Sequence, residues 1–236
     1  MSRRVAEQLR QLQAEQARSE EPPALVAAVA SGCAPLGVLA ELAAQQQRII
    51  ASDRRSLLLL ATRCADLPVG AWFADLAEGE GPALRILPAL AAACGLDPEH
   101  AAARPPLPGC QAYPAYLAWL ALNGRPAAVA GALVANFTAW GGYCAAIGAG
   151  LRRHYGFADE DCAFFDFFAR PAIALEQQAA EALGPNRGDA GDTGDTGDAG
   201  LDGGTLTAAR EYSTLLQAYE RLFWETLDAL PVARPS

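Results

Sequence analysis

Apolar residues recur every three or four positions along most of the chain, and no stretch alternates with period two. The pattern therefore predicts helices throughout. Residues 2–20 form a charged helical pattern interrupted at Glu21-Pro22-Pro23, and Pro23 to Ala30 reads as a short apolar helix stopped by Ser31-Gly32. Pro35 opens a long helix reaching about Ala65, with the polar run Gln45-Gln46-Gln47-Arg48 in its middle. Residues 70–78 and 82–94 read as two further helices, the second closed by Gly95. Asp97-Pro98 has the chemistry of an N-cap followed by a first helical residue. Pro105, Pro106 and Pro108 form a stiff connector into a central helix pair, Tyr113 to Leu122 and Pro126 to about Tyr155. Asp159 to about Leu183 is helical, with Pro171 kinking or splitting it, and Thr205 to Leu230 is the last helix. The expected fold class is all-α, a single-domain bundle of seven to nine helices.

One segment breaks the pattern. Gly184 to Gly204 repeats glycine and aspartate and carries almost nothing to bury, so it reads as a flexible acidic linker within the helical domain of 22–230. The five Asp would also suit calcium, a weaker reading. Residues 1–21 read as a polar helix or tail and 231–236 as a C-terminal tail.

Composition narrows the function. The chain has 236 residues, 52% hydrophobic, with a formal charge of −9. No basic cluster exceeds an Arg pair, which argues against a nucleic-acid surface. All eighteen basic residues are Arg, which with the abundance of Ala fits a GC-rich bacterial genome. No apolar run is long enough for a membrane span, and the N-terminus has no signal-peptide character. Six widely spaced cysteines without a CxxC pair then read as mostly buried thiols of a reduced, cytoplasmic protein.

Two places carry chemistry. On the central helix, Asn136, Trp140 and Tyr143 share one face, aromatic and polar in an otherwise Ala/Leu/Val helix. Burying an unpaired amide costs about 1–3 kcal/mol, so this face reads as a pocket wall. On the last helix, Glu220 sits among Tyr219, Leu222 and Phe223, where burial would suit acid–base work. The block Phe164 to Phe168 reads mainly as core, with Asp166 capping or pairing.

Three motifs in order give a resemblance. Tyr219-Glu220-Arg221-Leu222-Phe223-Trp224, Tyr113 ahead of the central helix, and the Gln45-Gln46 step resemble the TenA / thiaminase II family. That family shares the haem-oxygenase-like helical fold with pyrroloquinoline-quinone synthase, and the likeness spans Pro22 to Leu230. It implies a pocket for thiamine-related aminopyrimidines and a homo-oligomer. The family's proton-handling Glu falls on Glu220 and its tyrosine on Tyr113. Its nucleophilic Cys falls on Asn136, its pyrimidine-anchoring Asp on Gln46, and further tyrosines on Ile49, Trp140 and near Phe168. An Asn cannot replace a thiolate, and Cys144 lies eight residues on, about 12 Å along the helix axis. The fold also hosts iron and haem enzymes, but the two histidines, His100 and His154, do not supply such a ligand set. The expected site is thus Gln46, Tyr113, Asn136, Trp140, Phe168 and Glu220, taking a small flat heterocycle with no cofactor or metal. If it is catalytic, Glu220 would activate water for a hydrolysis of the C–N or amidine type. The alternative is a non-catalytic binding or scaffold protein.

Overall fold

The computed structural model describes residues 3–17, 21–184 and 200–231. Within them the chain forms α1 (Arg3–Ala17), α2 (Ala24–Ala30), α3 (Leu36–Arg63), α4 (Pro68–Ala93), α5 (Pro98–Ala103), α6 (Pro108–Asn123), α7 (Pro126–Gly150), α8 (Asp159–Ala169), α9 (Ile173–Ala182) and α10 (Gly203–Asp228). A π-helical turn, Leu151–Tyr155, extends α7. No strand occurs among the described residues. Most of the Gly/Asp run lies outside them.

Helix α7 is the axis of the bundle, and its composition explains why. Ala128, Ala130, Gly131, Ala132, Ala135, Gly148 and Gly150 are buried, so neighbours can approach its backbone closely. A Cβ on Gly131 would lie 3.3 Å from the Cβ of Ala209 on α10, and one on Gly150 only 2.5 Å from the Val29 carbonyl of α2. Around α7, α1 and α2 pack at opposite ends, α10 along one side and α8 along another. Helix α1 is docked by Val5, Leu9 and Leu12 and by Gln13, whose amide donates to the Val134 carbonyl and to Glu176.

Two expectations about boundaries are corrected. Residues 70–78 and 82–94 belong to one helix, α4, with Pro82 and Pro88 inside it. An internal proline costs about 3 kcal/mol. The long contact of α4 with α3, burying Trp72, Phe73, Ala77, Ala83, Leu87 and Leu90, outweighs that cost. Likewise α6 starts at Pro108, five residues before Tyr113, with Pro108 at its first position and Pro114 within it. Elsewhere the local signals act as read. Arg170 is extended ahead of Pro171, separating α8 from α9. The Asp97 carboxylate caps α5 through the His100 amide, and Asp202 caps α10 through Thr205. The last helix therefore takes in Gly203 and Gly204. Asp166 pairs with Arg152 in a two-bond fork that ties α8 to the turn after α7. The hydroxyl of Tyr155 in that turn accepts from the Ala34 amide and donates to the Ala34 carbonyl.

Buried apolar side chains form two clusters. One holds Leu39, Leu42, Leu90, Ile147, Phe164, Phe165 and Trp224, the other Leu12, Leu60, Trp72, Phe73, Leu117, Leu120 and Leu216. Cys64, Cys110, Cys144 and Cys162 are buried free thiols, Cys94 is half-buried and Cys33 exposed. No described helix is long and apolar enough to cross a membrane.

The close approach at Gly150 is testable. Gly150→Ala should lower stability by about 1–3 kcal/mol, because the new methyl meets backbone. Gly142→Ala, with nothing within 4 Å of the added Cβ, should instead stabilise by about 0.5–1 kcal/mol. Equilibrium denaturant unfolding of both variants reads the two signs.

Candidate functional site

A cavity of about 150 Å³ lies where the two apolar clusters meet. Its lining draws Ile49, Ile50 and Phe223 from one cluster and Leu57, Leu117 and Leu133 from the other. All six side chains singled out in the sequence reach it: Gln46, Tyr113, Asn136, Trp140, Phe168 and Glu220. They come from five helices. Gln46 is on α3, Tyr113 on α6, Asn136 and Trp140 on α7, Phe168 on α8 and Glu220 on α10.

The glutamine run divides by role. Gln45 is fully buried and clamps the connector before α6: its amide donates to Glu41 and to the Pro105 carbonyl, and its oxygen accepts from the Leu107 amide and from Gln111. Gln46 turns into the cavity and Gln47 is exposed. Every polar atom of Gln45 is thus occupied by the fold, whereas Gln46 faces the cavity.

Asn136 is 6% exposed. Its nitrogen donates to the Ala132 carbonyl one turn back at 2.9 Å, and its buried Oδ1 has no hydrogen-bond partner. Trp140, one turn further, meets Phe168 edge-on at 5.9 Å and tilts against Trp224 at 5.8 Å. Tyr143 shares the helix face but falls beyond the cavity, against Trp224 and in an outer cleft of about 540 Å³. Glu220 belongs to both spaces. It lines the inner cavity and the outer cleft, and Oε1 accepts the Trp224 indole N–H at 3.2 Å.

Two site residues were missed in the sequence. Asp53 follows Gln46 by two helical turns on the stripe Gln46, Ile49, Ile50, Asp53, Leu57, so its spacing could have revealed it. Glu80 lies within Gly79-Glu80-Gly81, where the sequence suggested a break between helices. Asp53 is 9% exposed and its buried Oδ1 has no hydrogen-bond partner. Burial, and then the Glu80 carboxylate, push its pKa well above the ordinary range. Burial pushes Glu80 up to about 7. Tyr113 is raised well above a normal phenol by burial and then by Asp53, Glu220 and Glu80, so it stays a neutral hydroxyl. Cys144 does not line the cavity. It is 1% exposed, and burial followed by Glu220 raises its thiol pKa well above normal. Neither histidine lines it: His100 pairs with Asp97, and His154 covers Gly32. Among the described residues no group of three His, Cys, Asp or Glu side chains is placed to hold a metal.

The model of the TENA/THI-4/PQQC family matches residues 15–169 of this sequence. The chain belongs to that family. Solved structures agree on the fold. A domain of unknown function with a haem oxygenase-like fold from Shewanella denitrificans OS217 superposes with a TM-score of 0.71 at 13% identity, covering 94% of this chain and 89% of the other. A TenA homologue from Pseudomonas syringae pv. tomato DC3000 gives 0.68 at 13% identity, over 96% and 91% of the two chains. A TenA homologue from P. horikoshii OT3 gives 0.63 at 16% identity, over 94% and 95%. No curated protein matches the sequence significantly. At these identities the TENA/THI-4/PQQC likeness establishes the all-α, haem-oxygenase-like fold expected from the sequence.

The half-buried acid of α4 gives a pH signature with a definite sign. The folded pKa of Glu80 lies above its unfolded value of 4.5, so between 4.5 and about 7 the native state binds more protons than the unfolded state. Stability therefore falls as pH rises through that window and levels off above it. Glu80→Gln should flatten this slope and be more stable than the parent at pH 8 by about 1–3 kcal/mol, read by unfolding at several pH values.

Proposed function

We propose that this is a cytoplasmic small-molecule protein whose inner cavity binds one flat six-membered heterocycle, with thiamine-related aminopyrimidines as the first candidates. One observation carries the reading: six side chains from five helices converge on a single cavity of about 150 Å³. A volume of that size matches cavities that hold one benzene-sized ring. Aromatic edges from Trp140 and Phe168 suit a planar face, and Gln46, Asn136 and Tyr113 supply the few directional polar groups such a pocket needs.

Within this reading the chemistry is hydrolytic and independent of cysteine. Glu220 stands between the inner cavity and the outer cleft, where its carboxylate would take a proton from a water entering from the cleft. Asn136 would orient ring or water, since an amide cannot attack. The buried Cys144 thiol, raised in pKa and off the cavity, supports leaving cysteine out of the mechanism. A binding-only role is favoured by that same lack of a lining cysteine. By family likeness we also propose a homo-oligomer, which light scattering showing a monomer would sink.

The test begins with thermal shift and calorimetry against thiamine, its aminopyrimidine fragments and neutral single-ring heterocycles. Single-ring heterocycles should raise the melting temperature and bicyclic ones should not. Glu220→Gln should keep ligand affinity within about threefold and cut turnover by about 100-fold or more. Binding without turnover in the parent would leave the binding-only role. No shift with any single ring would remove the heterocycle reading.

A further inference from the structure

The polar groups of the inner cavity are unbalanced. Its lining includes three carboxylates, from Asp53, Glu80 and Glu220, and no basic side chain. Two of its buried acceptor atoms, Oδ1 of Asp53 on α3 and Oδ1 of Asn136 on α7, have no hydrogen-bond partner. Buried acceptors without donors are costly and uncommon in native structures. No protein donor reaches either oxygen, and a ligand rich in N–H donors would satisfy both. We propose that Asp53 and Glu80, with the Asn136 amide oxygen, form a subsite for a planar organic cation of the amidinium class, carried as a substituent on the single ring that the cavity admits. The proposal rests on the heterocycle reading for the cavity being a ligand site, and adds to it the charge and donor pattern of the ligand.

The arrangement also fixes a proton exchange. The titratable groups facing the subsite are Asp53 on α3, Glu80 on α4, Tyr113 on α6 and Glu220 on α10, while α7 and α8 add none to the lining. Tyr113 is a neutral hydroxyl throughout. Empty, the Asp53–Glu80 pair retains a proton near neutrality, because poor solvation raises both acids and the Glu80 charge raises Asp53 further. An arriving amidinium stabilises both carboxylates as anions, and that proton leaves to solvent. Affinity for the cation therefore rises with pH from 6 to 8, although the ligand stays charged throughout. A neutral ring of the same shape shows no such dependence.

Benzamidine and benzamide, nearly equal in shape and different in charge, make the test. Binding is measured by calorimetry at pH 6 and pH 8, in buffers of different ionisation enthalpy, with the full chain and its Asp53→Asn and Glu80→Gln variants. Circular dichroism and thermal unfolding establish that each variant folds. At pH 8 benzamidine should bind about tenfold or more tightly than benzamide and release about one proton, and the preference should shrink at pH 6. Either variant should lose about tenfold in benzamidine affinity and leave benzamide within about twofold. Benzamide binding as well as benzamidine would overturn the cation subsite and leave the heterocycle reading standing. Benzamidine binding indifferent to both variants would overturn the assignment to Asp53 and Glu80. Binding of neither probe to the folded parent would overturn the subsite and the cavity reading together.

Discussion

The bundle depends on how closely other helices can approach α7. Side chains along its buried faces are largely methyl groups or hydrogen, so contact is made near the backbone itself, at Gly131 against α10, at Gly148 against α8 and at Gly150 against α2. Dispersion and burial gain from that closeness, and a larger residue would have to push a whole helix outward. In its middle α7 changes character, to Asn136, Phe137 and Trp140. Large and polar groups there replace small ones, and the neighbouring helices enclose a cavity instead of closing on the backbone.

That cavity is shaped by apolar residues and given direction by a few polar ones. Its walls strip much of the hydration from the carboxylates of α3 and α4, which moves their ionisation upward. Gln45 shows the opposite solution to the same problem. Its amide is as buried as any, yet four protein partners satisfy it, and it serves to hold the connector before α6. The satisfied Gln45 thus holds the fold together, whereas the unsatisfied oxygens on Asp53 and Asn136 are left without a protein partner.

Much of this was legible in the chain. Helical periodicity, capping residues and the absence of alternating segments gave the fold class, and the polar-aromatic face of α7 marked the cavity wall. The proline signals were less dependable because they are local. Pro171 ends a helix at an exposed corner, whereas Pro82 and Pro88 sit in α4, where tertiary contact with α3 overrides them. That misreading had a cost at the site: with α4 divided near Gly79-Glu80-Gly81, Glu80 looked like part of a loop. Asp53 was passed over for a different reason. It lies two turns beyond Gln46, on a stripe that runs for three turns and is otherwise apolar, so nothing local to Gln46 marks it. The desolvation of either acid is a property of the assembled helices, and no single segment reveals it.

Glu220 and Gln46, which share the cavity, are 174 positions apart in sequence, and α10, packed on α6 and α7, is the last of the lining helices in chain order. Contacts of such long range close large loops and tend to be consolidated late in folding. The pocket is then a property of the finished chain, and a nascent protein lacking α10 has five of the lining helices without the sixth. A ligand touching both α3 and α10 would find no purchase on such species. Its kinetic signature would be slower departure of α10 from the native bundle, with the rate of folding left nearly unchanged.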